Sequence, residues 1–380
     1  MSVKKTYSEI NDKIKQGKAV VLTAEEVSKM AEELSPADIV KKVDVVTTAT
    51  FGPMCSSGAF INFGHSDPPI RMSRATLNDV PVCTGLAAVD AYIGATEESQ
   101  YDRKYGGAHV IEELIAGKDV RLKASAPGTH CYPRKEIETD INKGSVNEIF
   151  MFNPRNAYQN YGVAVNSSKS TKYTYMGTLL PNFGNANFST SGELSPLLND
   201  PFLRTIGIGT RIFLGGAQGF VAWNGTQFNT SKPRNDYGIP ECNAATIAVT
   251  GDLKKMSPDF IKAAYFERYG VSIFIGIGIP VPVLDEDMAK AVSIRNSQIE
   301  TTIMDYGIDG HPSLGMINYE ELQSGIINLS GKKVRTAPLS SINKARIIAG
   351  ELKKWILDNE FSITEPVQLF PENTSLNSLK

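Results

Sequence analysis

Two cysteines stand where a thiol can react. Cys55 follows a β-branched run, residues 43–48 (VDVVTT), and the breakers Gly52-Pro53, and it precedes Ser56, Ser57 and Gly58. Gly and Pro together end a strand and open a tight loop. The small residues beyond let backbone N–H groups turn inward, a concavity that favours an anion. A thiol held there gives up its proton more readily, and the thiolate is the reactive form. Cys131 has a similar setting: residues 119–126 alternate like a half-buried strand and run into Pro127-Gly128-Thr129-His130-Cys131. A buried structural cysteine is the bland alternative at either place, and the repetition of the arrangement argues against it. Two such thiols suit redox chemistry, in which one attacks or carries sulfur and the other resolves the product as a disulfide. Cys83 and Cys242 lack the setting and are expected to pack in the core.

Other chemistries fit less well. A cysteine hydrolase would use His65 or His130 as base, and the serine-hydrolase elbow G-x-S-x-G is missing around Ser56 and Ser57. The four cysteines are dispersed, with no C-x-x-C pair to seed a zinc or iron–sulfur site; a cluster assembled from distant residues stays open. Gly207-Ile208-Gly209 and Gly276-Ile277-Gly278 both lack the third glycine of a dinucleotide fingerprint, and no GxxxxGK[ST] occurs. Tight strand packing is the better account of these glycines. Arg71, Arg74, Arg134, Lys135, Arg204 and Arg211 lie near the thiols or the glycine-rich run. As a set they imply an anionic substrate or a lowered thiol pKa. Arg71, Arg74, Arg211, His65 and His130 are the candidate substrate-binding residues.

The 380 residues are 41% hydrophobic and 21% charged, with net charge -2, an ordinary globular composition without a field that draws nucleic acid or anionic membrane. No apolar run is long enough to span a bilayer. The basic N-terminal stretch has no apolar core after it, so it does not read as a signal peptide. The cysteines are expected to be cytoplasmic thiols.

Alternating helices and strands predict a mixed α/β fold with catalytic loops at strand ends. Ser8 is expected to cap a first helix, Thr23-Ala24-Glu25-Glu26 to form a capping box, and Ser35-Pro36 to start another turn. Residues 86–95 read as helix or strand, 109–116 as a helix, 206–213, 219–223, 247–250 and 271–279 as strands, and 258–268 and 285–293 as helices. Ser341 caps an amphipathic helix with Ala345, Ile348, Leu352, Trp355 and Ile356 on one face. This divides the chain into an α/β part carrying both thiol loops (1–150), a loop-rich middle segment (151–245), an α/β C-terminal part (246–365) and a flexible tail (366–380).

The runs VDVVTTATFGPMCSSGAFINFGHSDPP, YGGAHVIEELIAGKDV, GTHCYPRKE, NPRNAYQNY, YTYMGTLLPN, GELSPLLNDP, RTIGIGTRIFLGGAQGF and YGVSIFIGIGIPVPVL resemble the homocysteine biosynthesis family, the L-aspartate semialdehyde sulfurtransferases of anaerobic archaea and bacteria. The resemblance covers about residues 8–358. It implies conversion of aspartate 4-semialdehyde, a sulfide source and a reductant into homocysteine. The family's two functional cysteines carry over onto Cys55 and Cys131. One is implied to hold a persulfide and deliver its sulfur to the aldehyde carbon; a disulfide then forms and an external donor reduces it. Many relatives carry regulatory CBS modules or work beside a ferredoxin-like protein. Neither module is seen here, so the expected reductant is a separate ferredoxin-like protein, with no tightly bound cofactor or metal and with a homo-oligomer left open. The competing class is a sulfur or iron–sulfur carrier without turnover of its own.

Overall fold

The computed structural model describes residues 3–379; Met1, Ser2 and Lys380, the first and last residues of the basic N-terminal stretch and the expected tail, lie outside them. The fold is mixed α/β, as expected, with strands predominating in four sheets among the described residues.

The largest sheet has ten strands. Its path runs Val21–Thr23, Val45–Pro53, Gly270–Pro282, Arg211–Leu214, Ala217–Asn224, Ile247–Asp252, Glu148–Asn156, Gly58–Asn62 and Asp90–Gly94, with Ile261–Phe266 also on Gly270–Pro282. Val45–Pro53 is buried almost throughout, which accounts for its unbroken β-branched sequence. It pairs antiparallel with the equally buried Gly270–Pro282 strand, Ala49 opposite Gly278. The helix Ile342–Leu357 lies across this pair with Ala345, Ile348, Ala349, Leu352 and Ile356 buried. The glycines explain how closely it lies: a Cβ on Gly276 would come 2.7 Å from Ile348, and one on Gly278 3.2 Å from Ile348 and Leu352. The Gly-Ile-Gly pattern is a packing device, as read from the sequence.

The second sheet, of six strands, joins Ser313–Asn318, Glu300–Asp305, Val163–Val165, Asn185–Phe188, Lys332–Pro338 and Ile326–Leu329. A four-stranded sheet holds Val80–Val82, Arg74–Leu77, Val120–Ser125 and Glu136–Ile141, and a hairpin joins Lys172–Thr174 to Gly177–Leu179.

Local expectations hold at several caps and fail at others. Thr23 and Ser35 cap their helices as read, whereas the first helix, Tyr7–Lys15, is capped by Thr6 in a reciprocal box with Glu9. Residues 258–268 are not a helix. Ile261–Phe266 is a strand that folds back onto Gly270–Pro282 through a tight turn with Arg268 and Gly270 at positive φ, so pairing overrides a helix-compatible pattern. Residues 86–95 resolve as the strand Asp90–Gly94. The strand expected over 206–213 begins only at Arg211, because Ile208 pairs with Gln368 of the C-terminal segment. Beyond Gln368, Phe370 packs on Phe228 and Thr374 bonds with Thr230.

One charged contact ties the N-terminal helix to the central sheet. The buried Asp44, just before Val45–Pro53, accepts hydrogen bonds from Lys5 (2.9 Å), Lys13 (2.7 Å) and the Val20 N–H (3.0 Å). Burial alone would raise its pKa, but these donors outweigh that and hold it below the usual carboxylate value. A carboxyl lowered on folding stabilises the protein above the unfolded pKa of about 3.9 and stops doing so as pH falls through the folded value. Asp44→Asn should therefore cost on the order of 3 kcal/mol at neutral pH, by the usual penalty for stranding a buried ion-pair partner. In melts at stepped pH the deficit should shrink below about pH 4. A pH-independent deficit would contradict this role.

Candidate active site

Cys55 stands in a turn between two strands of the large sheet, Val45–Pro53 and Gly58–Asn62. The Met54 N–H bonds the Ile273 carbonyl, and the Ser57 N–H and hydroxyl both return to the Met54 carbonyl. The Ser57 amide thus closes the turn and does not face the anion site expected from the sequence. A single fully buried amide fixes the turn from behind. Asn153 donates to the Ser57 hydroxyl at 2.7 Å, and its oxygen accepts the Arg155 N–H at 2.8 Å. The Ser56 hydroxyl lies 3.1 Å from that same oxygen and 2.9 Å from the Arg155 carbonyl. The turn and the Arg155 segment are therefore one rigid unit.

In front of the turn lies a cavity of about 260 Å³, whose lining includes Cys55, Ser56, Arg155, Tyr158, Tyr161, Tyr175, Tyr269 and Gln227. Ser189 and Leu339, which follow strands of the six-stranded sheet, complete it, so the cavity sits at the junction of the two large sheets. Tyr269 (40% exposed) and Tyr175 (37%) mark its solvent side. The segment after Arg155 is polar yet buried, and two of its side-chain amides are spent on backbone: Gln159 donates to the Leu197 and Pro201 carbonyls, Asn160 to those of Pro240 and Glu300, while the buried Asn156 amide nitrogen has no partner among the described residues. Buried amides need such partners, and having them holds Tyr158 and Tyr161 in place. The rings then meet in sequence. Tyr158 and Tyr161 are 4.9 Å apart edge-on, Tyr161 and Tyr175 6.2 Å, Tyr175 and Tyr269 6.2 Å, and the Tyr175 and Tyr306 hydroxyls share a 2.7 Å hydrogen bond.

Burial pushes Tyr158 up to about 12 and raises Tyr161, Tyr269 and Tyr306. At Tyr269 the Cys55 thiol is the next cause. The Arg155 charge works the other way at both Tyr158 and Tyr269.

Cys131 is elsewhere. It is an exposed free thiol in the Thr129–Tyr132 turn, on the loop between the Val120–Ser125 and Glu136–Ile141 strands. That loop is tied to residues 65–69 by Arg134, which donates to the Asp67 and Pro69 carbonyls, and by His65 against the Tyr132 ring at 6.2 Å. The Gly58–Asn62 strand runs between the two thiol regions, about 13 Å at roughly 3.3 Å per residue. His65 and His130 are exposed and accompany Cys131, not Cys55. Arg71 and Arg74 are exposed, Arg74 in a groove with Lys123 and Glu138, and neither lines the Cys55 cavity. Arg211 bonds the Ser362 hydroxyl at 2.9 Å and faces Phe220 and Phe361. Arg204 forks onto Asp285 at 3.0 and 2.6 Å.

Cys83, expected in the core, is exposed. It ends a short strand whose backbone bridges Tyr92, leaving its side chain outside. Cys242 is half-buried and its thiol lies 3.1 Å from the Asn243 side-chain oxygen. Among the described residues no three His, Cys, Asp or Glu side chains converge as metal ligands, and no helix is long and apolar enough to cross a membrane. Reading charge and cysteine position missed Arg155, Asn153 and the tyrosines. Their signal was the amide-dense run NPRNAYQNY, in which Asn153 reaches the Ser57 hydroxyl and Gln159 and Asn160 reach buried backbone carbonyls.

Fold and site together define an α/β protein that presents one thiol, beside a guanidinium, to a small-molecule cavity. Comparison with known proteins sharpens this: residues 19–363 match the family described as homocysteine biosynthesis enzyme, sulfur-incorporation, and the chain belongs to that family. It is 47% identical to the L-aspartate semialdehyde sulfurtransferase of Methanosarcina acetivorans, over all of this chain and 74% of that protein. It is 50% identical to the protein of the same name from Methanocaldococcus jannaschii, over 96% of this chain and 73% of the relative. An uncharacterized protein of Methanothermobacter thermautotrophicus is 30% identical over 84% and 72%. No solved structure matches the chain significantly.

The Asn153 clamp is directly testable. Asn153→Ala removes the donor to the Ser57 hydroxyl, which keeps its bond to Met54, and leaves the Arg155 N–H without its acceptor, so it should cost about 2 kcal/mol by thermal or denaturant unfolding. It should also alter the rate at which iodoacetamide modifies Cys55, read by peptide mass. Unchanged stability and unchanged Cys55 reactivity would show that the amide is not the clamp.

Proposed function

We propose that the protein is a cytoplasmic L-aspartate semialdehyde sulfurtransferase in which Cys55 carries the transferred sulfur as a persulfide and Cys131 is the resolving thiol. The observation that carries this reading is a free thiol in a cavity of metabolite size that also holds an arginine without an ion pair among the described residues. The homologues' name supplies the substrate.

Hydrosulfide opens a Cys55–Cys131 disulfide, leaving the persulfide on Cys55 and a thiol on Cys131. The terminal sulfur adds to the aldehyde carbon and the carbonyl oxygen leaves as water. A separate ferredoxin-like protein delivers one electron pair to that carbon. Cys131 then attacks the Cys55 sulfur, releases homocysteine and restores the disulfide. Summed over the cycle, aldehyde, hydrosulfide, one electron pair and protons give thiol and water, without a tightly bound cofactor. Because Cys131 is exposed and outside the cavity, it comes to Cys55 from without, as a loop of the same chain or of a second copy.

Cys55→Ser and Cys131→Ser should each lower sulfide-dependent homocysteine formation by on the order of 10³-fold or more, as loss of a nucleophile does, with melting unchanged. Non-reducing digestion of the oxidised wild type should yield a linked Cys55–Cys131 peptide pair. Turnover retained by Cys55→Ser would end this reading. A brown, anaerobically purified protein with a charge-transfer band and no turnover would favour the carrier class.

A further inference from the structure

We propose that the Cys55 cavity reads the amino-acid end of its substrate, Arg155 taking the α-carboxylate and the rings of Tyr158, Tyr161, Tyr175 and Tyr269 taking the α-ammonium. The assignment rests on the sulfurtransferase reading above for the identity of the substrate, and on the cavity itself for the residues.

Arg155 is anchored by its backbone and free at its head. Its N–H and carbonyl are held by Asn153 and Ser56, while its guanidinium has no ion pair and no hydrogen bond among the described residues. Four other arginines are ion-paired: Arg103 with Glu98, Arg121 with Glu138 and Asp140, Arg204 with Asp285, and Arg346 with Glu25. A half-buried arginine on a rigid segment, lining a cavity with its guanidinium unengaged, is a ready bidentate carboxylate site. The sequence-based candidates Arg71, Arg74 and Arg211 do not reach this cavity.

The same lining contains no Asp or Glu. A substrate ammonium must therefore be received by something other than a carboxylate, and four phenol rings surround the space. Ring faces attract ammonium ions, more strongly where water is excluded, and neutral rings add no charge that would repel the carboxylate. The volume, about 260 Å³, is below the ~300–1,000 Å³ of sites for drug-sized ligands and suits a four-carbon amino aldehyde. With its amino-acid end held by Arg155 and the cage, the chain of the substrate extends its aldehyde toward Cys55.

The test separates binding from sulfur transfer by using an unreactive alcohol, L-homoserine, in calorimetric titrations of the full chain. Two partial analogues accompany it: 4-hydroxybutyrate, which lacks the ammonium, and 3-aminopropanol, which lacks the carboxylate. L-Homoserine should bind the wild type more tightly than either. Arg155→Met should weaken L-homoserine on the order of 100-fold, as for a lost charged hydrogen-bonded pair, while 3-aminopropanol binding stays within about twofold of wild type, because its ligand lacks the group Arg155 holds. Arg155→Lys should recover part of the loss. Tyr158→Leu should weaken L-homoserine and 3-aminopropanol but not 4-hydroxybutyrate. Melting curves and sulfur loading on Cys55 show that each variant is folded. Equal L-homoserine affinity in Arg155→Met, or wild-type affinity for 4-hydroxybutyrate equal to that for L-homoserine, would overturn the assignment. Arg155-dependent L-homoserine binding without sulfur transfer to aspartate semialdehyde would leave the assignment standing and sink the sulfurtransferase reading instead.

Discussion

The buried side chain of Asn153 is the constraint on which the site depends. Its oxygen and nitrogen together hold the turn that carries Cys55 and the segment that carries Arg155. Asn153 itself is fully buried, where its bonds are stronger than in water, and losing its oxygen leaves the Arg155 N–H without an acceptor. The cost of losing the geometry is what keeps it. Thiol and guanidinium are thus set in one frame before any ligand arrives, which is how a site avoids ordering its own groups at the moment of binding.

The rest of the fold places that frame. Val45–Pro53 and Gly270–Pro282 form a doubly buried pair, pressed by the C-terminal helix against two glycines. This stiff core delivers Cys55 at a strand end. The six-stranded sheet brings the facing wall, and Tyr175 and Tyr306 lock across it by a hydroxyl–hydroxyl bond. Gln159 and Asn160 tie the Arg155 segment to both sides by reaching four backbone carbonyls. The cavity lining therefore combines four phenols and apolar side chains with one arginine and no carboxylate, an environment in which an anionic group finds its counter-charge in Arg155. Cys131 stands apart as an exposed free thiol on a solvent-facing turn.

Much of this was legible in the sequence where the signal is local. The Cys55 turn was marked by a β-branched run ending in Gly-Pro, the capping boxes by Thr23 and Glu26, and the Gly-Ile-Gly packing by the missing third glycine of a nucleotide loop. What failed was decided by distant partners. Ile261–Phe266 is a strand because Gly270–Pro282 offers it a ladder, and Ile208 is taken by Gln368 from the far end of the chain. Cys83 is outside because its strand lies at a sheet edge. The substrate arginines illustrate the same limit. Proximity in sequence favoured Arg71 and Arg74, whereas the arginine that lines the Cys55 cavity is Arg155, brought there by strand pairing between Gly58–Asn62 and Glu148–Asn156. The dense polar run around Arg155 carried the information, in the form of amides with no local reason to be there.

The central claim is that Cys55 carries the sulfur that reaches the aldehyde. It is tested most directly by incubating the oxidised protein anaerobically with ³⁴S-labelled sulfide, mapping the label by peptide mass, and chasing with aspartate semialdehyde and a reductant. The account predicts one labelled sulfur on Cys55, lost on the chase as labelled homocysteine appears. Labelled homocysteine formed without a labelled Cys55 intermediate, or label that rests only on Cys131, would contradict it.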